Sequence, residues 1–109
     1  MIITTTDYIP GKKVVKALGI VRGNTIRARN IGRDILAVLK NIVGGEIEEY
    51  TKLIAESRDQ ALDRMLEEAK DLDADAVIHV NFSTSYIMQS ASEIMVFGTA
   101  VKIEDAEEN

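Results

Sequence analysis

The sequence predicts a single α+β domain built in the order strand, helix pair, strand, strand. Three observations predict it. Lys13 to Arg29 is dense in β-branched and apolar residues, Asn30 to Leu72 carries apolar residues at helical spacing, and Ala76 to Ile103 reads as two strands close enough to form a hairpin. At 109 residues the chain has the commonest size of one domain, and no Pro/Ser-rich linker, internal repeat or low-complexity stretch divides it.

The first strand segment holds Val14, Val15, Leu18, Ile20, Val21, Thr25 and Ile26, interrupted by Gly19 and Gly23. Gly23-Asn24 suits a tight hairpin turn, and Gly23 equally suits a bulge in one continuous strand, so both readings stay open. Asn30 then caps a helix in which Ile31, Ile35, Val38, Leu39 and Ile42 recur at helical spacing, with Asp34 near its positive end. That helix stops at Gly44-Gly45.

A longer helix follows from Glu46 to about Leu72, opened by Glu46, Glu48 and Glu49. Its stripe is Ile47, Tyr50, Ile54, Ala61, Met65 and Ala69, widened by Leu53, Leu62 and Leu66; Glu56, Arg58, Asp59, Arg64 and Lys70 form the solvated side. At 1.5 Å per residue it spans roughly 40 Å, more than a compact monomer of this size offers to cover it. In the next strand, Ala76, Ile78, Val80 and Phe82 alternate with His79, Asn81, Ser83 and Ser85, giving one core face and one polar face. After a turn near Gln89 to Ser92, Glu93 to Ile103 is apolar on both faces, Ile94, Val96 and Ala100 against Met95, Phe97, Val101 and Ile103. Such a strand lies in the sheet centre or at a subunit interface. The acidic tail 104–109 is expected to fray.

Composition narrows the function classes. Hydrophobic residues make 46% of the chain and aromatics 5%, so the core is aliphatic and offers few stacking platforms for single-stranded nucleic acid. The net charge of −5, with no recognition motif, further disfavours a nucleic-acid partner. Absence of cysteine removes disulfides, thiolate metal ligands and thiol redox chemistry. No stretch approaches the ~20 apolar residues of a membrane span, and Met1 to Ile3 is too short for a signal-peptide core, so a cytoplasmic protein without a membrane partner is expected. Charge is unevenly spread: Met1 to Gly45 holds eight Lys/Arg against two acids, and Glu46 to Asn109 five against sixteen, giving +6 and −11. Head-to-tail contact between copies would pair these halves.

The ordered set Gly19 to Thr25 (Gly-Ile-Val-Arg-Gly-Asn-Thr), Ile31-Gly32-Arg33-Asp34-Ile35, Gly44-Gly45-Glu46, Tyr50-Thr51, Arg58 with Ala61, Ala74-Asp75-Ala76-Val77 and Phe97-Gly98-Thr99-Ala100-Val101 resembles the YbjQ-like family, which carries a heavy-metal-binding label. The resemblance covers most of the chain as one YbjQ-like domain, 1–109. It implies a β-α-β-β two-layer sandwich of the dodecin-subunit-like type, an antiparallel sheet packed on a long helix. It also implies assembly into a ring-shaped homopentamer, or two such rings stacked as a decamer. A pore or inter-subunit groove would then hold a small ligand.

Candidate residues fall into two groups. Arg22, Gly23, Asn24, Thr25, Arg29 and Arg33 surround a glycine and the start of the first helix, where backbone N–H groups and guanidinium forks suit a phosphate, a carboxylate or an acidic surface of a neighbouring subunit. The subunit contact is the favoured use. Gly-Asn-Thr is not a P-loop. For metal, soft ions need thiolate or imidazole, and the chain has no Cys and one His, His79, standing where the family pattern places a small residue. A symmetric ring offers another route, because Glu46, Glu49, Glu93 or His79 repeated around an axis supplies oxygen or imidazole donors to a divalent cation. No Ser-His-Asp or Cys-His set can be assembled, which leaves an enzyme acting on a small anionic substrate as the weakest reading.

Overall fold

The computed structural model describes residues 1–27, 46–88 and 91–107. Its elements are β1 (Ile2–Ile3), β2 (Lys12–Arg27), α1 (Glu46–Asp71), β3 (Ala76–Met88) and β4 (Ala91–Asp105). The strands form one sheet in the order β1-β3-β4-β2, and α1 packs on one face of it, over β2 and β4. The helix expected from Asn30 lies outside the described residues. No helix among those described is long and apolar enough to cross a membrane.

Two long antiparallel pairings, β2 with β4 and β4 with β3, make the body of the sheet. β1 adds a short parallel pair, Ile2 with Ala76 and Ile3 with Val77, so the sheet is mixed rather than purely antiparallel. Two residues carry no periodicity, and their pairing is visible only in three dimensions. β2 is continuous through Gly23, which is neither a turn nor a bulge. The register shifts lie earlier, between Val14 and Lys16 and between Ala17 and Gly19, where Gly19 takes φ 133. Gly23 serves another purpose: a Cβ there would collide with the Ala61 carbonyl oxygen and lie 2.5 Å from the Met65 amide nitrogen. A residue without a side chain lets helix and strand backbones meet.

On α1 the line touching the sheet is Ser57, Ala61, Met65 and Ala69, one residue per turn and fully or almost fully buried, with Leu62 and Leu66 half-buried beside it. They pack on Val21 of β2, Val77 and Val80 of β3, and Val96 and Ala100 of β4. The helix ends where Asp73 turns left-handed (φ 58): its N–H bonds back to Lys70 O at 2.9 Å, and Ala74 N–H to Ala69 O at 3.1 Å. That pairing satisfies two of the last carbonyls and tucks Ala74 against the core.

The alternation expected along β3 holds only up to His79. A bulge between Ile78 and Asn81, with His79 at φ 56, shifts the phase of the strand. Val77 and Val80 therefore both join the core beneath α1, whereas Ala76 and Ile78 join Val101, Ile9 and Ile103 on the opposite face. Phe82, expected in the core, is 51% exposed because it pairs with Val96 on the helix side but beyond the strip that α1 covers. The chain before β2 holds the bulge in place: the His79 N–H donates to Thr6 O and the Val80 N–H to Thr4 O, each at 3.0 Å.

The tail corrects one expectation. Glu104 and Asp105 are the end of β4, paired with Lys13 and Lys12 of β2 by both register and charge. Two of the acidic side chains that suggested fraying, Glu104 and Asp105, fasten the strand.

Candidate functional site

Strand alternation divides the basic group between the two faces of the sheet. Thr25 is buried under α1, its hydroxyl donating to Ser57 O at 3.1 Å, and Gly23 is buried at the helix contact. Arg22 and Asn24 are exposed on the opposite, open face, in register with Phe97 and Met95 of β4. Arg29 and Arg33 lie outside the described residues. The sequence neighbours do not converge on one cradle of N–H groups, because β2 runs straight through them.

The open face reads in rows across β2, β4 and β3. Ile20, Thr99 and Ile78 form one row; Arg22, Phe97 and Asn81 the next; Asn24, Met95 and Ser83 the third; and Ile26, Glu93 and Ser85 the last. Ile20 is 75% and Ile26 54% exposed, with Phe97 and Met95 half-buried between strands. Asn24 Nδ2 donates to Glu93 Oε2 at 3.0 Å, joining one residue of the basic group to one of the metal group. A carboxylate beside Asn24 repels an incoming anion there. At the outer edge of β2, which has no strand neighbour there among the described residues, the Arg64 guanidinium donates to the Asn24 carbonyl oxygen and caps that acceptor.

Within one chain, His79 and Glu93 do not come together. His79 is an exposed residue at the bulge, about five residues along the sheet from the row of Glu93, or roughly 16 Å. Glu46 and Glu49 belong to the first turn of α1. No cluster of three or more His, Asp or Glu that could hold a metal ion occurs among the described residues. Asp71, Asp73 and Asp75 look like alternating ligands in sequence, yet Asp73 forms the helix stop and Asp75 Oδ2 accepts the Ile103 N–H at 3.0 Å. Lys102 Nζ already stands against this pair, 3.2 Å from Asp73 and 3.6 Å from Asp75.

Ion pairs outside the predicted site are the clearest electrostatic feature. Lys12 bonds Asp105 and Lys13 lies 3.2 Å from Glu104 across the β2–β4 end. The hydrogen bond and charge of Lys12 hold the Asp105 carboxyl below its ordinary value. The hydrogen bond that Lys102 donates to Asp73, with the charges of Asp73 and Asp75, raises Lys102 above its ordinary value. The signal was present in the sequence as opposite-signed doublets, Lys12-Lys13 and Glu104-Asp105, at the ends of two strands.

Comparison with known proteins agrees with this architecture. A family model described as "Putative heavy-metal-binding" matches residues 1–104. A UPF0145 protein of Dehalococcoides mccartyi is 58% identical over 104 residues, covering 95% of this chain and all of the relative. Another from Archaeoglobus fulgidus is 55% identical over 103 residues, covering 94% of this chain and 95% of its own. Among solved structures, a protein of unknown function of the DUF74 family from Pediococcus pentosaceus superposes with a TM-score of 0.63 at 17% identity, covering 95% of this chain and 98% of that one, a likeness of fold alone. The chain belongs to the UPF0145 family, the YbjQ-like family that its ordered motifs resemble.

Proposed function

We propose that this protein works as a homo-oligomeric ring, a pentamer as the resemblance implies, that holds a small ligand in its pore or in a groove between subunits. Its subunit is read as dodecin-subunit-like, with β1 as an addition to that plan. The carrying observation is the chemistry of the sheet edges. β2 is a 16-residue edge strand, and β3 beyond Val80 has only β4 as a strand neighbour among the described residues. Unpaired edge N–H and C=O groups of this length are a template for another chain. The two edges belong to different strands, so joining them is a head-to-tail contact, the kind that closes into rings. The elongated body supports the same reading: its radius of gyration is 17.9 Å, against about 13 Å for a compact chain of this length.

Of the two uses of the basic group, subunit contact is the one supported, since Glu93 occupies the neighbourhood of Asn24 and Arg22 stands among apolar side chains. Light scattering of the purified protein tests the ring. The expected mass is five or ten times the 12.0 kDa of one chain, and a single-chain mass overturns the reading. The ligand is tested by melting the assembled protein with and without added inorganic phosphate or divalent cation. A shift in Tm from one of them supports the groove, and none from either removes the ligand from the reading.

A further inference from the structure

We infer that the heavy-metal-binding description of the matching family model does not extend to this chain, which offers no site for a soft metal ion such as Cd²⁺, alone or assembled. The inference is independent of the ring. It concerns soft ions and not hard cations held by carboxylates.

Closed sites for soft and borderline ions are built from thiolates and imidazoles, about four to an ion at bond lengths of about 2.0–2.3 Å. The chain has no cysteine and one histidine, His79, so its only sulfur donors are the thioethers of Met1, Met65, Met88 and Met95. Residues 28–45, 89–90 and 108–109, outside the described residues, contain no Cys, His or Met. Every soft side-chain donor of the chain is therefore among those already named.

The fold buries or separates these donors. Met65 is fully buried beneath α1, in the core with Val21 and Val96. Met95 is half-buried opposite Ser83, which lies four residues beyond His79 on β3, roughly 13 Å at the rise of a strand. Met88 pairs with Ala91 at the far end of β3, nine residues or roughly 30 Å from His79. Met1, just ahead of the Ile2–Ala76 pair, is left to join His79, and together they supply two donors, about half of a closed set. Carboxylates do not complete it: Asp73 and Asp75 stand against Lys102, Glu93 accepts from Asn24, and Glu104 and Asp105 pair with Lys13 and Lys12. Symmetry multiplies the donors a chain has but creates no thiolate, so an assembly can gather only more imidazole, thioether and carboxylate. Imidazole suits borderline ions such as Zn²⁺ and carboxylate suits hard ones such as Mg²⁺.

Equilibrium dialysis of the full chain against Cd²⁺, in whatever assembly it forms, tests the inference, with bound metal read by elemental analysis and Tm read in parallel. The expected result is cadmium at the level of the buffer and no change in Tm, for wild type and His79→Ala alike. One cadmium per chain overturns the inference. So does one cadmium shared among several chains and lost in His79→Ala, which would mean that imidazoles gathered at an axis suffice. Cadmium kept by wild type and His79→Ala equally overturns it as well, since donors other than the imidazole would then hold the ion. If His79→Ala fails to fold, the wild-type measurement decides alone, because cadmium retained in any fixed proportion to the chain is incompatible with the inference. A Tm raised by Ca²⁺ with no cadmium bound supports both this inference and a ligand in the groove, so the two can fail separately.

Discussion

At the scale of single residues, two backbone positions explain choices that side-chain chemistry does not. Gly23 lies where helix and strand backbones touch, and the atoms that a Cβ would meet are mostly backbone atoms of α1, which cannot rotate away. Gly23→Ala is therefore expected to destabilise the fold by about 3 kcal/mol, read as a drop in denaturant midpoint. His79 is the reverse case. It adopts φ 56, a conformation that costs a residue with a Cβ and not a glycine. His79→Gly should raise stability by up to ~1 kcal/mol in the same experiment. If it instead lowers stability, the imidazole contributes a contact that outweighs the backbone strain.

At the scale of elements, the β2–β4 pairing ends in charge. Asp105 is held below its ordinary value by Lys12, so its contribution is present above the unfolded carboxylate value of 3.8 and is lost as pH falls through the lower folded value. Lys102 is raised by Asp73, so its contribution is present below 10.5 and is lost as pH rises through the higher folded value. Asp105 is exposed and Lys102 about one-third exposed, so each limb is shallow and weakens with salt. Thermal melts from pH 2 to 6 should show Lys12→Met losing less stability on acidification than wild type; equal slopes would mean that this pair does not couple to folding. Beneath α1, the Thr25 hydroxyl bonded to Ser57 O is a separate fastening. Thr25→Val leaves that buried carbonyl one donor short and is expected to cost about 1 kcal/mol in denaturant unfolding.

At the scale of the whole molecule, the chain spans 62 × 27 × 18 Å, long and thin because a 16-residue strand and a 26-residue helix lie side by side in two layers. α1 covers one face of the sheet; on the other, Ala76, Ile78 and Val101 are buried with Ile9 and Ile103, while Ile20 and Ile26 of β2 stay in contact with water among the described residues. Dilution should therefore matter: the wild-type melting temperature is expected to rise with protein concentration, as it does when folding is linked to association. A Tm independent of concentration over two orders of magnitude would argue that one copy is stable alone.

The sequence by itself determined α1 almost to the residue, the two strands that follow it and the two-faced character of β4, because each has a hydrophobic period long enough to read. It also carried the family, through an ordered set of short motifs. Only the tertiary structure decided β1, the bulge at His79, the passage of β2 straight through Gly23 and the division of the basic group between two faces. Those features depend on which backbone lies beside which. A two-residue strand, a left-handed histidine or a missing Cβ leaves no periodic trace, and strand alternation sends neighbours in sequence to opposite sides of a sheet.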